Sequence, residues 1–184
     1  MSTPASISPA PASPAILSAL SALPRDTFTQ RLGEVFEHSP WIAERAWAYR
    51  PFDSVDALHA AMVAVIGAAS IEEQLALIRA HPELAGKEAA AGTLTQASSG
   101  EQRGAGLDQC SPAELQRLRG LNAAYRERFG FPFVIAVKGL SRYQIMDAVE
   151  ARLAHDRKTE LQECLAQIAR IGRFRLDALL ADKE

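Results

Sequence analysis

Residues 131–137 read Phe131-Pro-Phe-Val-Ile-Ala-Val137. A short apolar run of this kind suits a buried strand or a buried stretch of irregular chain, and only neighbouring strands can decide between them. Upstream, Ser111-Pro112-x-Glu114 opens a helix with Leu115, Leu118, Leu121, Tyr125 and Phe129 on one face, and Gly130 closes it. Downstream, Ser141-x-x-Gln144 opens another with Ile145, Val149 and Leu153 inward, and Thr159-x-x-Gln162 opens a last one. No second run alternates with a period of two, so the segment has nothing to pair with. It reads as buried extended chain in an all-α protein.

The same helical period continues toward the N-terminus. Ser70-x-x-Glu73 is a capping box before Ile71, Leu75 and Ile78. That helix must stop near His81, because Pro82 disfavours the α region in the residue before it. Ser54 caps a helix carrying Leu58, Met62, Val65 and Ile66, which ends at Gly67. Ser39-Pro40 starts a short one with Trp41, Ile42 and Trp47, and Phe28, Leu32, Val35 and Phe36 mark one more. Residues 83–110 are rich in Gly and Ala and only weakly periodic. The expectation is a compact bundle of about seven or eight helices, the extended apolar segment lining its site. Residues 1–22 are Pro-, Ala- and Ser-rich and uncharged, so they read as a tail, disordered at least over 1–14, with 15–23 able to begin packing. Residues 23–184 are expected to form one helical domain.

Composition narrows the function. With 20 Lys+Arg against 22 Asp+Glu, the net charge of −2 lacks the basic excess of a nucleic-acid binder. The longest nearly apolar stretches fall short of the about 20 residues that a membrane span requires. The N-terminus has no signal-peptide pattern, and two cysteines without CxxC spacing read as reduced thiols. The default expectation is a soluble, cytoplasmic protein. The four histidines show no metal-ligand spacing, and no phosphate loop, nucleophile elbow or dinucleotide fingerprint is present, so no metal or cofactor is expected.

Three side chains carry candidate chemistry. Arg175 falls on the stripe Leu161, Leu165, Ile168, Gly172, Arg175, Leu179 of the last helix, facing inward. An inward guanidinium requires an anion: a structural carboxylate such as Glu34 or Glu72, or a substrate carboxylate held bidentately. His81 reads as a partly buried imidazole bonded to a carbonyl, or as a general acid/base. Ser98-Ser99-Gly100-Glu101-Gln102 contains two overlapping capping boxes; it is a helix start, or a helix start whose N–H groups meet a ligand while Glu101 accepts ligand N–H groups. The backbone of Phe133-Val134-Ile135-Ala136-Val137 requires partners that an amide-rich heterocycle would supply.

Together these residues resemble a known family. His81-Pro-Glu-Leu-Ala-Gly-Lys87, then Ser98-x-x-Glu101-Gln102 with Ala105-Gly-Leu107, then Phe131-Pro-Phe-Val-Ile-Ala-Val-Lys138 are similar to the 2-oxo-4-hydroxy-4-carboxy-5-ureidoimidazoline (OHCU) decarboxylases of urate degradation. Glu37-His-Ser-Pro-Trp-Ile-Ala-Glu-Arg-Ala-Trp47 and Ile168-Ala-x-Ile-x-x-x-Arg175-Leu resemble it too. The resemblance implies an all-α homodimer, without cofactor, that releases CO2 and forms (S)-allantoin. It implies that His81, Glu101 and Arg175 are catalytic, with His81 the proton donor. Pro82, the segment Ser98 to Gln102 and the backbone of Phe133 to Val137 would bind the substrate. The other readings are a hydrolase or isomerase of a related ureide on the same scaffold, or a helical interaction module without catalysis.

Overall fold

The computed structural model describes residues 12–181. Their elements are helices α1 (Pro14–Ser21), α2 (Arg25–Leu32), α3 (Trp41–Ala46), α4 (Val55–Ala68), α5 (Ile71–Ala80), α6 (Lys87–Ala91), α7 (Gln96–Gly104), α8 (Pro112–Phe129), α9 (Arg142–Arg152) and α10 (Arg157–Leu180). Short 3₁₀ turns follow α3 and α7, and no strand occurs among the described residues. The fold is all-α, with ten helices rather than seven or eight. The additions are short: α1 and α6 lie where tail composition or weak periodicity hid them, and α7 covers the segment whose Ser98 read as a helix start.

The chain divides into two compact units. One runs to Ala68 and resumes at Gly172; the other is Ala69–Ile171. In the first, α1 begins inside the segment expected to be tail. Ser13 caps it, Pro14 occupies its first turn, and Leu17 and Leu20 are buried. Residues 1–11 lie outside the described residues. Phe28 stacks on Phe52, and Trp47 Nε1 donates to the Leu23 carbonyl at 2.9 Å. Gly172 lies against the ring of buried Phe36.

In the second unit, three capping boxes form as the sequence spacing requires: Ser70 with Glu73, Ser111 with Glu114, Ser141 with Gln144. Its core gathers Leu77, Ile78, Leu118, Ile145, Met146, Val149 and Ile168 around an aromatic cluster. Tyr125 sits at the centre of that cluster, with Phe129, Phe131 and Phe133 rings 4.6, 6.2 and 5.2 Å away.

Several expected faces shift. Ile71 is 49% exposed and Leu75 half-buried, so α5 packs through Leu77 and Ile78. Arg152, not Leu153, is the buried residue ending α9. Helix α10 starts before Thr159, because the Asp156 carboxylate accepts the Thr159 N–H at 2.9 Å and so caps it. Its buried stripe is Leu161, Cys164, Ile168, Ile171, Leu176 and Leu180, and Leu179 is exposed.

Candidate active site

Residues of the second unit line a cleft enclosing about 340 Å³ with its mouth. His81 is one of the buried polar residues that line it. Pro82 forces it out of the helix, and it takes an extended conformation (φ −75°, ψ 131°) just past α5. It continues the stripe of Leu77 and Ile78, so the imidazole is only 6% exposed. Its Nδ1 lies 3.0 Å from the Leu77 carbonyl. A carbonyl only accepts, so Nδ1 carries the hydrogen and Nε2 is left as the nitrogen with a lone pair.

Helix α7 supplies Ser98, Glu101 and Gln102 to the same cleft. Their spacing of three and four places them on one helical face. The expected helix start at Ser98 is corrected: Thr95 is the cap, its Oγ1 accepting the Ser98 N–H at 3.2 Å, and the Ser99 N–H bonds the Thr95 carbonyl. The helix begins one turn earlier, so Ser98 to Gln102 act through side chains rather than open N–H groups. Ser99 and Gly100 are off the cleft, Gly100 being exposed and Ser99 facing a separate groove with Arg103.

Gln102 also ties down the loop after His81. Its Oε1 accepts the Ala85 N–H at 2.9 Å, while Asn122 Nδ2 donates to the Leu84 carbonyl at 3.0 Å. Ala85 has φ +49°, in the region that favours glycine, so this turn is strained and held by side chains.

The rest of the wall is Phe133, Val134, Ile135 and Val137, together with Leu84 and Ile171. The segment has no regular secondary structure and pairs with no strand among the described residues. Part of its backbone finds protein partners instead of a ligand. The Val134 carbonyl accepts from Arg152 Nη1 at 2.8 Å, and the Ala136 N–H donates to Gln167 Oε1 at 3.0 Å. Ala136 is thereby turned from the cleft. The N–H groups of Ile135 and Val137 have no hydrogen-bond partner among the described residues.

Arg175 lies in the other unit, at 9% side-chain exposure, and its Nη1 donates to Glu37 at 2.8 Å. The expected carboxylate partner is present, but it is Glu37 and not Glu34 or Glu72. The sequence reading missed Asn122, Arg152, Glu160 and Gln167. Arg152 was visible in principle, since Ile145, Val149 and Arg152 step by four and three along α9.

The class defined by fold and cleft is a helical small-molecule site. It holds one imidazole, one carboxylate and two backbone donors against apolar walls. The family model described as OHCU decarboxylase matches residues 21–177. An OHCU decarboxylase from Haloferax volcanii is 44% identical over 160 residues, covering 87% of this chain and 93% of that protein. The uric acid degradation bifunctional protein PucL of Bacillus subtilis is 44% identical over 89% of the chain, which spans only 32% of PucL. Among solved structures, (S)-allantoin synthase superposes with a TM-score of 0.72 at 28% identity, over 89% of this chain and 53% of that one. An OHCU decarboxylase crystallised with (S)-allantoin shares the fold at a TM-score of 0.66. The chain belongs to the OHCU decarboxylase family.

Proposed function

We propose that the chain decarboxylates 2-oxo-4-hydroxy-4-carboxy-5-ureidoimidazoline to (S)-allantoin in urate degradation. The observation that carries this reading is the meeting of His81, Glu101 and the two open backbone donors, Ile135 and Val137, on one small cleft. The substrate contains its own electron sink. When the bond from ring carbon to carboxylate breaks, CO2 leaves and the electron pair moves into the adjacent C=N, whose nitrogen takes a proton. The hydroxyl then gives up its proton to become the ring carbonyl, and the neighbouring carbon is protonated from one face.

His81 exchanges these protons through Nε2, the hydrogen on Nδ1 being fixed by Leu77. Glu101 accepts from ring or ureido N–H groups, and the Ile135 and Val137 N–H groups donate to ring or ureido carbonyls. Apolar walls exclude water and leave one face open to the imidazole, which is how a single hand of allantoin would arise. Arg175 enters on the family resemblance alone, as a contact to the substrate carboxylate. A homodimer of twice the 19.9 kDa chain mass and a cytoplasmic location rest on the same resemblance and on composition; sedimentation of the purified chain measures the first.

The test is CO2 release and allantoin handedness from freshly generated substrate. His81→Asn is expected to lower turnover by about 10²–10⁴ with an unchanged circular dichroism spectrum. Near-normal turnover removes His81 from the mechanism, and a product formed without CO2 favours a hydrolase or isomerase.

A further inference from the structure

A pocket wall made of unpaired chain must be held by something other than a sheet. Two buried side chains, Arg152 and Gln167, hold this one, with the buried Cys164 sulfur taking the Val134 N–H, and none of the three is among the residues lining the cleft. The Arg152 guanidinium donates to the Val134 carbonyl at 2.8 Å and lies 4.4 Å from the centre of the Phe133 ring. It therefore grips two successive wall residues at once. Gln167 Oε1 accepts the Ala136 N–H at 3.0 Å, two residues further along. Ile135, whose N–H is open, is the residue between the two grips.

Neither grip is loose. Arg152 Nε and Nη2 bond both oxygens of Glu160, at 2.8 to 3.1 Å. Glu160 is fully buried and also accepts from the Tyr125 hydroxyl and from His155 Nδ1. Gln167 Nε2 donates to Glu163 at 2.8 Å, which fixes which end of the amide faces the wall. A buried ion pair is a poor source of stability compared with apolar packing, so a positional role explains it better than a stabilising one.

We infer that Arg152, oriented by Glu160, and Gln167 are positioning residues that set the Phe133–Val137 wall at the height where the Ile135 and Val137 N–H groups meet the substrate ring. The inference rests on the decarboxylase reading of the cleft and goes beyond it by assigning the wall's geometry to groups that never touch substrate. His81 follows α5 and Glu101 stands on α7, so loosening the wall leaves both groups in place. A wall that contacts the ring equally before and during bond breaking contributes uniform binding. Its loss then appears in KM and not in kcat.

The experiment uses two variants of the full chain. Gln167→Leu removes one acceptor without altering charge. Arg152→Met combined with Glu160→Gln removes the other grip and leaves no buried charge unpaired. Each is expected to raise KM for the ureidoimidazoline by about tenfold with kcat within about threefold, the size expected when neutral hydrogen bonds to a ligand weaken. In each, amide hydrogen exchange over residues 131–137 is expected to accelerate more than exchange in α5 and α7. A purely structural role gives the reverse kinetic pattern, a lower kcat from a smaller folded fraction at unchanged KM. That pattern, or unchanged exchange at the wall in a folded variant, overturns the inference. A parent chain that releases no CO2 overturns the decarboxylase reading instead, and the exchange measurement still decides whether these residues hold the wall.

Discussion

Glu160→Gln probes the buried charge pair most directly. The amide has the shape of the carboxyl it replaces, so no cavity opens and only the charge is lost. Glu160 is 0% exposed, and in the parent it faces Arg152, Tyr125 and His155. In the variant, Arg152 stays a buried cation. Its remaining acceptors are the neutral Val134 carbonyl, one amide oxygen and the Cys164 sulfur at 3.3 Å. Burial pushes the Cys164 thiol above its ordinary value, so no thiolate is there to replace the lost charge. A buried charge stripped of its partner costs about 3–5 kcal/mol. One retained hydrogen bond from Arg152 to the amide places the expected loss near the lower end, about 3 kcal/mol. At about 2–4 °C per kcal/mol for a chain of this size, the thermal midpoint is expected to fall by about 6–12 °C.

Acid gives the same prediction a second handle. Burial alone would raise the Glu160 carboxyl, but hydrogen bonds and the charge of Arg152, with Tyr125 and His155, outweigh it and hold it below its ordinary value. Above the unfolded carboxyl's value the contribution is fully present. As pH falls through the lower folded value it disappears, because the unfolded chain has already bound the proton. The parent therefore loses stability in acid that the variant never had. Urea midpoints measured at neutral pH and at about pH 3 should show a wide gap that narrows in acid. A variant within about 1 kcal/mol of the parent at neutral pH, below the range for a broken buried pair, would refute the reasoning, as would a gap of constant width.

Two glycines should answer the same substitution with opposite signs. A Cβ at Gly172 would lie 2.5 and 2.6 Å from atoms of the buried Phe36 ring, so Gly172→Ala is expected to lower stability despite the better helix propensity of Ala. A Cβ at Gly120, inside α8, meets nothing within 4 Å, and Gly120→Ala is expected to gain about 0.5–1 kcal/mol; calorimetry on both decides it. The Glu114 carboxyl bonds Tyr143 and the Ser111 amide and is held at about 2, so carbon-detected titration should find it there and Tyr143→Phe should move it upward. An unmoved Glu114 in that variant would show that Tyr143 is not the principal cause. For Arg175, a contact to the substrate carboxylate predicts that Arg175→Lys raises KM in a stable protein, whereas a purely structural pair with Glu37 predicts equal losses of stability in Arg175→Gln and Glu37→Gln with KM unchanged.

What could be read from the sequence was whatever is decided within about one helical turn. Ser70, Ser111 and Ser141 each find their box partner three residues on, because cap and acceptor lie in the same local geometry. Pro82 stops α5 by steric exclusion at His81, again a neighbour effect, and it was enough to place the imidazole. Local reading failed where two local signals competed. Thr95 and Ser98 both suit a cap, and the earlier start prevails where it turns Ser98, Glu101 and Gln102 onto one inward face, a benefit set by tertiary packing. It also passed over Arg152 and Glu160.

Yet those two were marked by the rule that singled out Arg175. Arg152 follows Ile145 and Val149 by steps of four and three, and Glu160 precedes Cys164 and Ile168 by steps of four, each on a stripe otherwise apolar. A charge on such a stripe cannot be desolvated alone, so a second must stand on a facing or adjoining element. One inward Arg therefore predicts an inward acid somewhere, and the two searched for together are more specific than either. Arg175 leads to Glu37, and Arg152 to Glu160. What the stripe does not reveal is the third member of such a set. For Arg152 that member is a backbone carbonyl at Val134, and it ties a buried pair to the Phe133–Val137 segment.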